Sequence, residues 1–131
     1  TGREDFGRIG REAVEAAAVV LESAPAAAGQ TLMALDLMLA PSRELAVVAG
    51  ADRGEFDAVL DVASARFLPH AVVAPAPAEA REALAKLLPV LQGRPAVDGR
   101  VTLYDCEARA CRAPAVGVEA AVAALGGPRP A

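Results

Sequence analysis

The sequence predicts an α/β fold: a small three-stranded, mainly parallel sheet with flanking helices, preceded by an α-hairpin. Three observations carry this expectation. Leu45–Ala49, Ala71–Ala74 and Val101–Asp105 are short, largely apolar runs of strand length, and the first is continuous rather than alternating, which suits a strand covered on both faces. Single amphipathic segments separate these runs, and strands joined by single helices imply parallel pairing through right-handed crossovers. The first forty residues carry helical periodicity instead. The boundary is placed at Pro41-Ser42, giving a helical hairpin over residues 1–41 and a small α/β domain over 42–131.

Residues 3–22 place Phe6, Ile9, Ala13, Val14, Ala17, Val20 and Leu21 on one helical stripe. Thr1 stands at the N-cap with Glu4 at capping-box spacing, and Ser23-Ala24-Pro25 ends the segment. Residues 28–40 read as a helix that is apolar almost all round, with Asp36 its one charge. A helix of that kind is normally covered on several sides. Pro41-Ser42 stops it.

The first strand, Leu45–Ala49, runs into Gly50-Ala51-Asp52-Arg53-Gly54, a turn with Asp52 placed to cap a helix over 54–67. Phe56, Val59, Leu60, Ala63 and Phe67 form that helix's stripe. Ala71–Ala74 is the second strand, and Pro75-Ala76-Pro77 reads as its stop. A helix over 78–91 uses Ala80, Leu84, Leu87, Leu88 and Leu91, with Pro89 bending or ending it. Val97-Asp98-Gly99-Arg100 reads as a turn into the third strand. Cys106 to Pro114 is an irregular excursion or ribbon, Val118–Leu125 a last helix, Gly126-Gly127 its stop, and residues 128–131 a frayed tail.

Composition narrows the function classes. The 131 residues are 54% apolar and 23% charged, which fits a folded domain. Aromatics make up 3%, so the core must be built from Ala, Val and Leu. The net charge of −4 and the absence of a basic stripe argue against nucleic acid. Charged residues fill the first fifteen positions, so no secretory pattern opens the chain. No uncharged apolar run reaches the ~18 residues that cross a bilayer. No membrane association is expected, and a cytoplasmic location is the default. The chain opens without Met directly into a helix, as a domain cut from a longer protein would.

Two groups of residues invite chemistry. Ligands of open α/β sheets collect beyond the carboxyl ends of the strands. That edge holds Gly50, Asp52, Arg53 and Gly54, the candidate ligand-binding residues, at a helix N-terminus able to receive an anion. The glycine spacing is not a dinucleotide fingerprint, and the plain reading is a turn with an N-cap. Cys106 and Cys111, separated by four residues, are the redox candidates. Their spacing is not the Cys-x-x-Cys of a helix-start redox motif. A turn would still bring the two Cα atoms within disulfide range. The plain reading is two small thiols packing a ribbon. Zinc usually needs four ligands, and two cysteines with a distant His70 fall short, so neither a metal nor a cofactor is expected. No catalytic residue is identified: His70 has no nucleophile beside it in sequence, and Asp36 is read as facing a small wet patch.

The segment Tyr104-Asp105-Cys106-Glu107-Ala108-Arg109-Ala110-Cys111-Arg112-Ala113-Pro114 follows the pattern aromatic-x-Cys-x4-Cys-x-x-Pro shortly before a last helix. It resembles the C-terminal signature of the thioredoxin-domain-containing, spermatogenesis-associated-type proteins. Pro25, Leu32 to Leu39, Leu45 to Gly50, Pro69 to Val73 and Leu88 to Gly93 match the family's tail in order, so the resemblance spans nearly the whole chain. Such proteins begin with a thioredoxin-like domain followed by an α/α toroid similar to that of sugar epimerases and six-hairpin glycosidases. The resemblance implies that residues 1–41 are the last hairpin of a parent toroid. The chain would then be a C-terminal accessory domain, with the rest of the parent chain as its partner and no autonomous catalysis. It also implies a surface around Leu32, Met33, Leu37 and Met38 through which the isolated chain would dimerise. The alternatives are a thiol redox module using Cys106 and Cys111, or part of a carbohydrate-active, epimerase- or glycosidase-like protein with a small-molecule site near Gly50–Gly54.

Overall fold

A computed structural model describes residues 4–40, 42–107 and 110–126. Thr1 as a cap, the stop at Pro41, Ala108 and Arg109 of the cysteine segment, Gly127 and the tail lie outside the described residues. The chain divides into two compact units, residues 1–41 and 42–131.

The first unit is helical. The stripe expected to form one helix forms two, α1 (Glu4–Ala16) and α2 (Ala18–Ser23), with a break at Ala17. A 3-10 turn over Pro25–Ala27 leads to α3 (Gly29–Leu39). Among the described residues of this unit only Val14 and Ala28 are buried. Phe6, Ile9, Val19, Val20, Leu32, Met33, Leu37, Met38 and Leu39 are all exposed. Helices this short draw most of their stability from packing an apolar face, and here that face is uncovered.

The second unit is built on β1 (Arg43–Val48), which lies between two partners. On one side β2 (Ala71–Ala76) runs parallel to it, with Arg43 opposite Ala71 and Val48 opposite Ala76. On the other, β3 (Thr102–Glu107) runs antiparallel, with Val48 opposite Thr102 and Arg43 opposite Glu107. Two short strands, β4 (Ala110–Cys111) and β5 (Ala115–Val116), each pair antiparallel with β3, at its end and its start. The sheet is therefore five-stranded and mixed, not three-stranded and mainly parallel, and β1–β2 is its parallel pair.

The length of the connecting helix explains the reversal. A parallel crossover needs a helix that carries the chain back along a strand of about 20 Å. The helix after β2, α5 (Arg81–Leu87), has seven residues, roughly 10 Å. Pro89 stops it, and a 3-10 turn over Pro89–Leu91 follows. The chain thus reaches β3 at the end of the sheet where it left β2. There Val97–Arg100 forms a tight turn, with Arg100 N–H donating to the Val97 carbonyl at 3.0 Å. Asp98 and Gly99 both have positive φ, +52° and +67°, the conformation for which Asp-Gly is favoured. Thr102 Oγ1 clasps this turn, accepting from Val97 N–H at 2.9 Å and donating to the Arg100 carbonyl at 3.1 Å.

Leu45, Ala46, Val47 and Val48 are all inaccessible to solvent. One face of β1, through Leu45 and Val47, packs together with Ala49 just beyond it on Phe56, Val59 and Ala63 of α4 (Arg53–Ala65) and on Ala121 and Leu125 of α6 (Val118–Gly126). The other face, through Ala46 and Val48, meets Ala74, Ala76 and Leu91, with Leu84, Leu88 and Tyr104 at the margin. Three local expectations change. Helix α4 ends at Ala65, so Phe67 lies beyond it and is exposed. Gly126 is still helical. Pro75 does not stop β2 but lies inside it, tolerated because β2 is an edge strand, where a missing N–H breaks no ladder on the outer side.

One ion pair ties the sheet to α6. Arg43 grips Asp105 with two bonds, Nε to Oδ1 at 3.1 Å and Nη2 to Oδ2 at 2.8 Å, and its Nη2 also reaches the Ala124 carbonyl at 3.4 Å. Only 11% and 7% of the two side chains remain exposed. Removing one member of such a pair strands the other charge in the interior. Asp105→Ala is expected to lower unfolding free energy by about 3–5 kcal/mol, whereas Arg43→Met with Asp105→Leu stays close to wild type. Urea unfolding of the two variants checks both outcomes.

Candidate functional site

Strand β1 delivers Gly50, Asp52, Arg53 and Gly54 together to its carboxyl end, where each is engaged within the chain. A Cβ on Gly50 would collide with the Gly99 carbonyl oxygen and the Arg100 backbone, so only glycine lets the 97–100 turn cross here. Ala51 N–H donates to that same Gly99 carbonyl at 2.7 Å. Asp52 Oδ1 accepts from Gly54 N–H at 2.7 Å, the N-cap of α4. Arg53 pairs with Asp57 at 2.9 Å and with Glu79 at 3.4 Å.

Beside them, Glu55 links α4 to the entry of β3. Its Oε1 accepts from Arg100 Nη2 at 2.6 Å and Nε at 3.2 Å, and its Oε2 accepts from Val101 N–H at 3.2 Å. The bond from Arg100, then the one from Val101, hold the Glu55 carboxyl below the ordinary carboxylate range. This edge is a structural clasp, and sequence reading could not supply its Glu55–Arg100 link, which spans 45 positions.

The cysteines lie at the opposite end of β3. Cys106 and Cys111 face each other across the β3–β4 ladder and form a disulfide, with Cα atoms 3.9 Å apart. The expectation of two separate packing thiols is thereby corrected: register, rather than spacing along the chain, brings the sulfurs together. The two differ in setting. Cys106 is buried at 1% exposure, while Cys111 is exposed on the short edge strand.

Arg94 completes this constellation. It follows the 3-10 turn after α5, and its Nη2 lies 2.7 Å from Cys111 Sγ. Its Nη1 donates to the Val90 carbonyl, and its guanidinium stands 5.9 Å from the centre of the Tyr104 ring. Tyr104 Oη donates to the Pro95 carbonyl at 2.7 Å, fastening the Arg94 loop to β3. Burial pushes the Tyr104 hydroxyl above the ordinary phenol range, opposed in part by the charge of Arg94. Sequence reading took Gln92–Pro95 as a loop and missed Arg94, because no local pattern links it to a sulfur seventeen positions on.

An open depression of about 360 Å³ lies beside Cys111, lined also by Asp105, Glu107, Ala110 and Arg112. Arg112 Nη1 stands 3.6 Å from Asp105 Oδ2. His70 lies just before β2, its carbonyl accepting from Arg43 N–H at 2.8 Å, and Asp36 lies on α3 of the first unit. Among the described residues no group of three metal-ligating side chains occurs, and no helix is long and apolar enough to cross a membrane. No family model, curated protein or solved structure matches this chain.

Two pH responses follow from these environments. A carboxyl held low in the folded state stabilises it above the unfolded pKa, and that contribution is lost as acid titrates it. Glu55→Gln is therefore expected to lower Tm at neutral pH, with the gap to wild type closing as pH falls through and below the ordinary glutamate range. Thermal scans along a pH series read this. Tyr104 is the single tyrosine, so its ionisation can be followed by ultraviolet absorbance alone. In the native chain it is expected to ionise above the ordinary phenol midpoint, and higher still in Arg94→Ala, with that stabilising preference for the neutral phenol lost as pH rises through the folded midpoint.

Proposed function

We propose that this chain is an accessory domain of a longer protein, in which the α/β unit is the self-sufficient part and the helical unit is a docking element for the rest of the parent chain. One observation supports this above the others. Three helices present nine large apolar side chains to solvent, while only two small or medium ones, Val14 and Ala28, are buried. A helical segment of this size that cannot bury its own apolar face needs another surface to cover it. The resemblance of the whole chain to the tail of thioredoxin-domain-containing proteins names that surface as the preceding helices of an α/α toroid. In that setting α3, apolar nearly all round, is an interior helix of the toroid. In the isolated chain the same face, centred on Leu32, Met33, Leu37 and Met38, is open to a second copy.

Met33 and Met38 are the only two methionines, and they report on this face directly. In dilute solutions of the chain alone, peroxide is expected to oxidise both at the rate of exposed methionine. In the polypeptide encoded together with its upstream segment, both are expected to be protected at least tenfold. Peptide mass mapping after timed exposure gives the two rates. Equal rates in both settings, or a reading frame that starts at this chain's first residue, would overturn the proposal.

A further inference from the structure

We propose that Cys106–Cys111 is a thiol–disulfide exchange site for low-molecular-weight thiols, with Cys111 the sulfur that meets the external thiol and Cys106 the resolving sulfur. The division of labour follows from the different settings of the two sulfurs. Cys106 is sealed in the sheet, so an incoming thiolate can reach the bond only at Cys111, which lies exposed on a two-residue edge strand. The depression next to Cys111, lined also by Asp105, Glu107, Ala110 and Arg112, is open to solvent, and its volume of about 360 Å³ falls in the range of small-molecule sites. The bond joins one of the two registered pairs of the β3–β4 ladder, so opening it breaks no backbone bond between β1 and β3.

Arg94 supplies the chemistry. Exchange proceeds through thiolates, and a fixed positive charge at the sulfur favours that form. The guanidinium is held at Cys111 by the Val90 carbonyl and the Tyr104 ring, so it is present before any thiol arrives. Other charged groups also surround the pair. Glu44 is the register partner of Cys106 across β1 and is exposed. Glu107 is half-buried beside the depression. Asp105 is neutralised by Arg43, and Arg112 adds a second cation at the rim.

The reaction balances without a further reagent. An external thiolate attacks Cys111 Sγ, a mixed disulfide forms there, and the electron pair of the broken bond leaves on Cys106, which takes a proton. A second external thiolate attacks the external sulfur of the mixed disulfide and releases Cys111 as a thiolate beside Arg94. Two external thiols have become one external disulfide; their two electrons now reside on the Cys106/Cys111 pair, with one proton on the Cys106 thiol and the other in solvent while Cys111 stays a thiolate. In the opposite direction the Cys111 thiolate attacks an external disulfide and expels one thiolate. Cys106 then loses its proton, attacks Cys111 Sγ and expels the second.

Reduced and oxidised glutathione are suitable probes, with the folded chain in native buffer. Reduced glutathione is expected to convert the disulfide to the dithiol without denaturant, and oxidised glutathione to restore it. In Cys106→Ser, one glutathione is expected to be trapped on Cys111. If that variant does not fold, limiting alkylation of the reduced wild-type chain gives the same answer, with Cys111 labelled first. Arg94→Gln is expected to raise the pH midpoint of Cys111 alkylation and to slow it about threefold near pH 7, a tenfold loss of thiolate partly offset by higher intrinsic nucleophilicity. Arg94→Lys is expected to recover most of that loss. The proposal is overturned by a disulfide that glutathione opens only in denaturant, by an adduct or first label on Cys106, or by an alkylation profile indifferent to Arg94→Gln. None of these readouts depends on Met33 or Met38, so this site and the docking face stand or fall separately.

Discussion

Strand β1 is hydrogen-bonded along both edges and sealed on both faces, and the arrangement of the second unit follows from that. Its six residues contribute no side chain larger than Leu within the fully buried stretch. Helices can therefore approach the sheet closely, α4 and α6 on one side, α5 and the following 3-10 turn on the other. Because β2 and β3 occupy both edges of β1, the two short strands β4 and β5 pair with β3 instead. The parallel neighbour β2 ends the sheet on one side, and the antiparallel neighbour β3 opens the other side to two short partners. That further edge is where the cysteines are placed.

The two ends of β3 have different chemistry. At its start, the Asp-Gly turn, Thr102, Glu55 and the bare Cα of Gly50 lock the strand against the β1–α4 loop through hydrogen bonds and close contact. At its far end, a guanidinium, a phenol and a disulfide gather at an exposed edge. In the Gly50–Gly54 loop the Ala51 and Gly54 N–H groups and the Asp52 and Arg53 side chains already have partners within the chain. Cys111, by contrast, is exposed and has a fixed cation beside its sulfur. This contrast is why the cysteine end, and not the glycine-bearing loop, carries the chemical proposal.

The first unit obeys a different balance. Its helices are short, its apolar residues are numerous, and almost none is covered. The second unit satisfies its apolar surface from its own elements. An element rich in apolar side chains and poor in burial is explained more economically as half of an interface than as a domain in its own right.

Much was legible from residues alone because it depends on local chemistry. The strand β1 followed from an unbroken apolar run, the N-cap at Asp52 from a carboxylate before a helical stripe, and the turn at Asp98-Gly99 from the tolerance of those residues for positive φ. The helical character of the first forty residues and the α/β class of the remainder belong to the same level. Strand direction did not, because a crossover and a reversal differ in how far one helix travels, and Pro89 set that distance in three dimensions. Nor did the Arg94–Cys111 contact, the Arg43–Asp105 pair or the Glu55–Arg100 clasp, each of which joins residues far apart in the chain through side chains that find one another after the sheet has formed. Local preference wrote the elements; long-range packing, which no window of neighbouring residues contains, decided their order, their direction and which sulfur faces solvent.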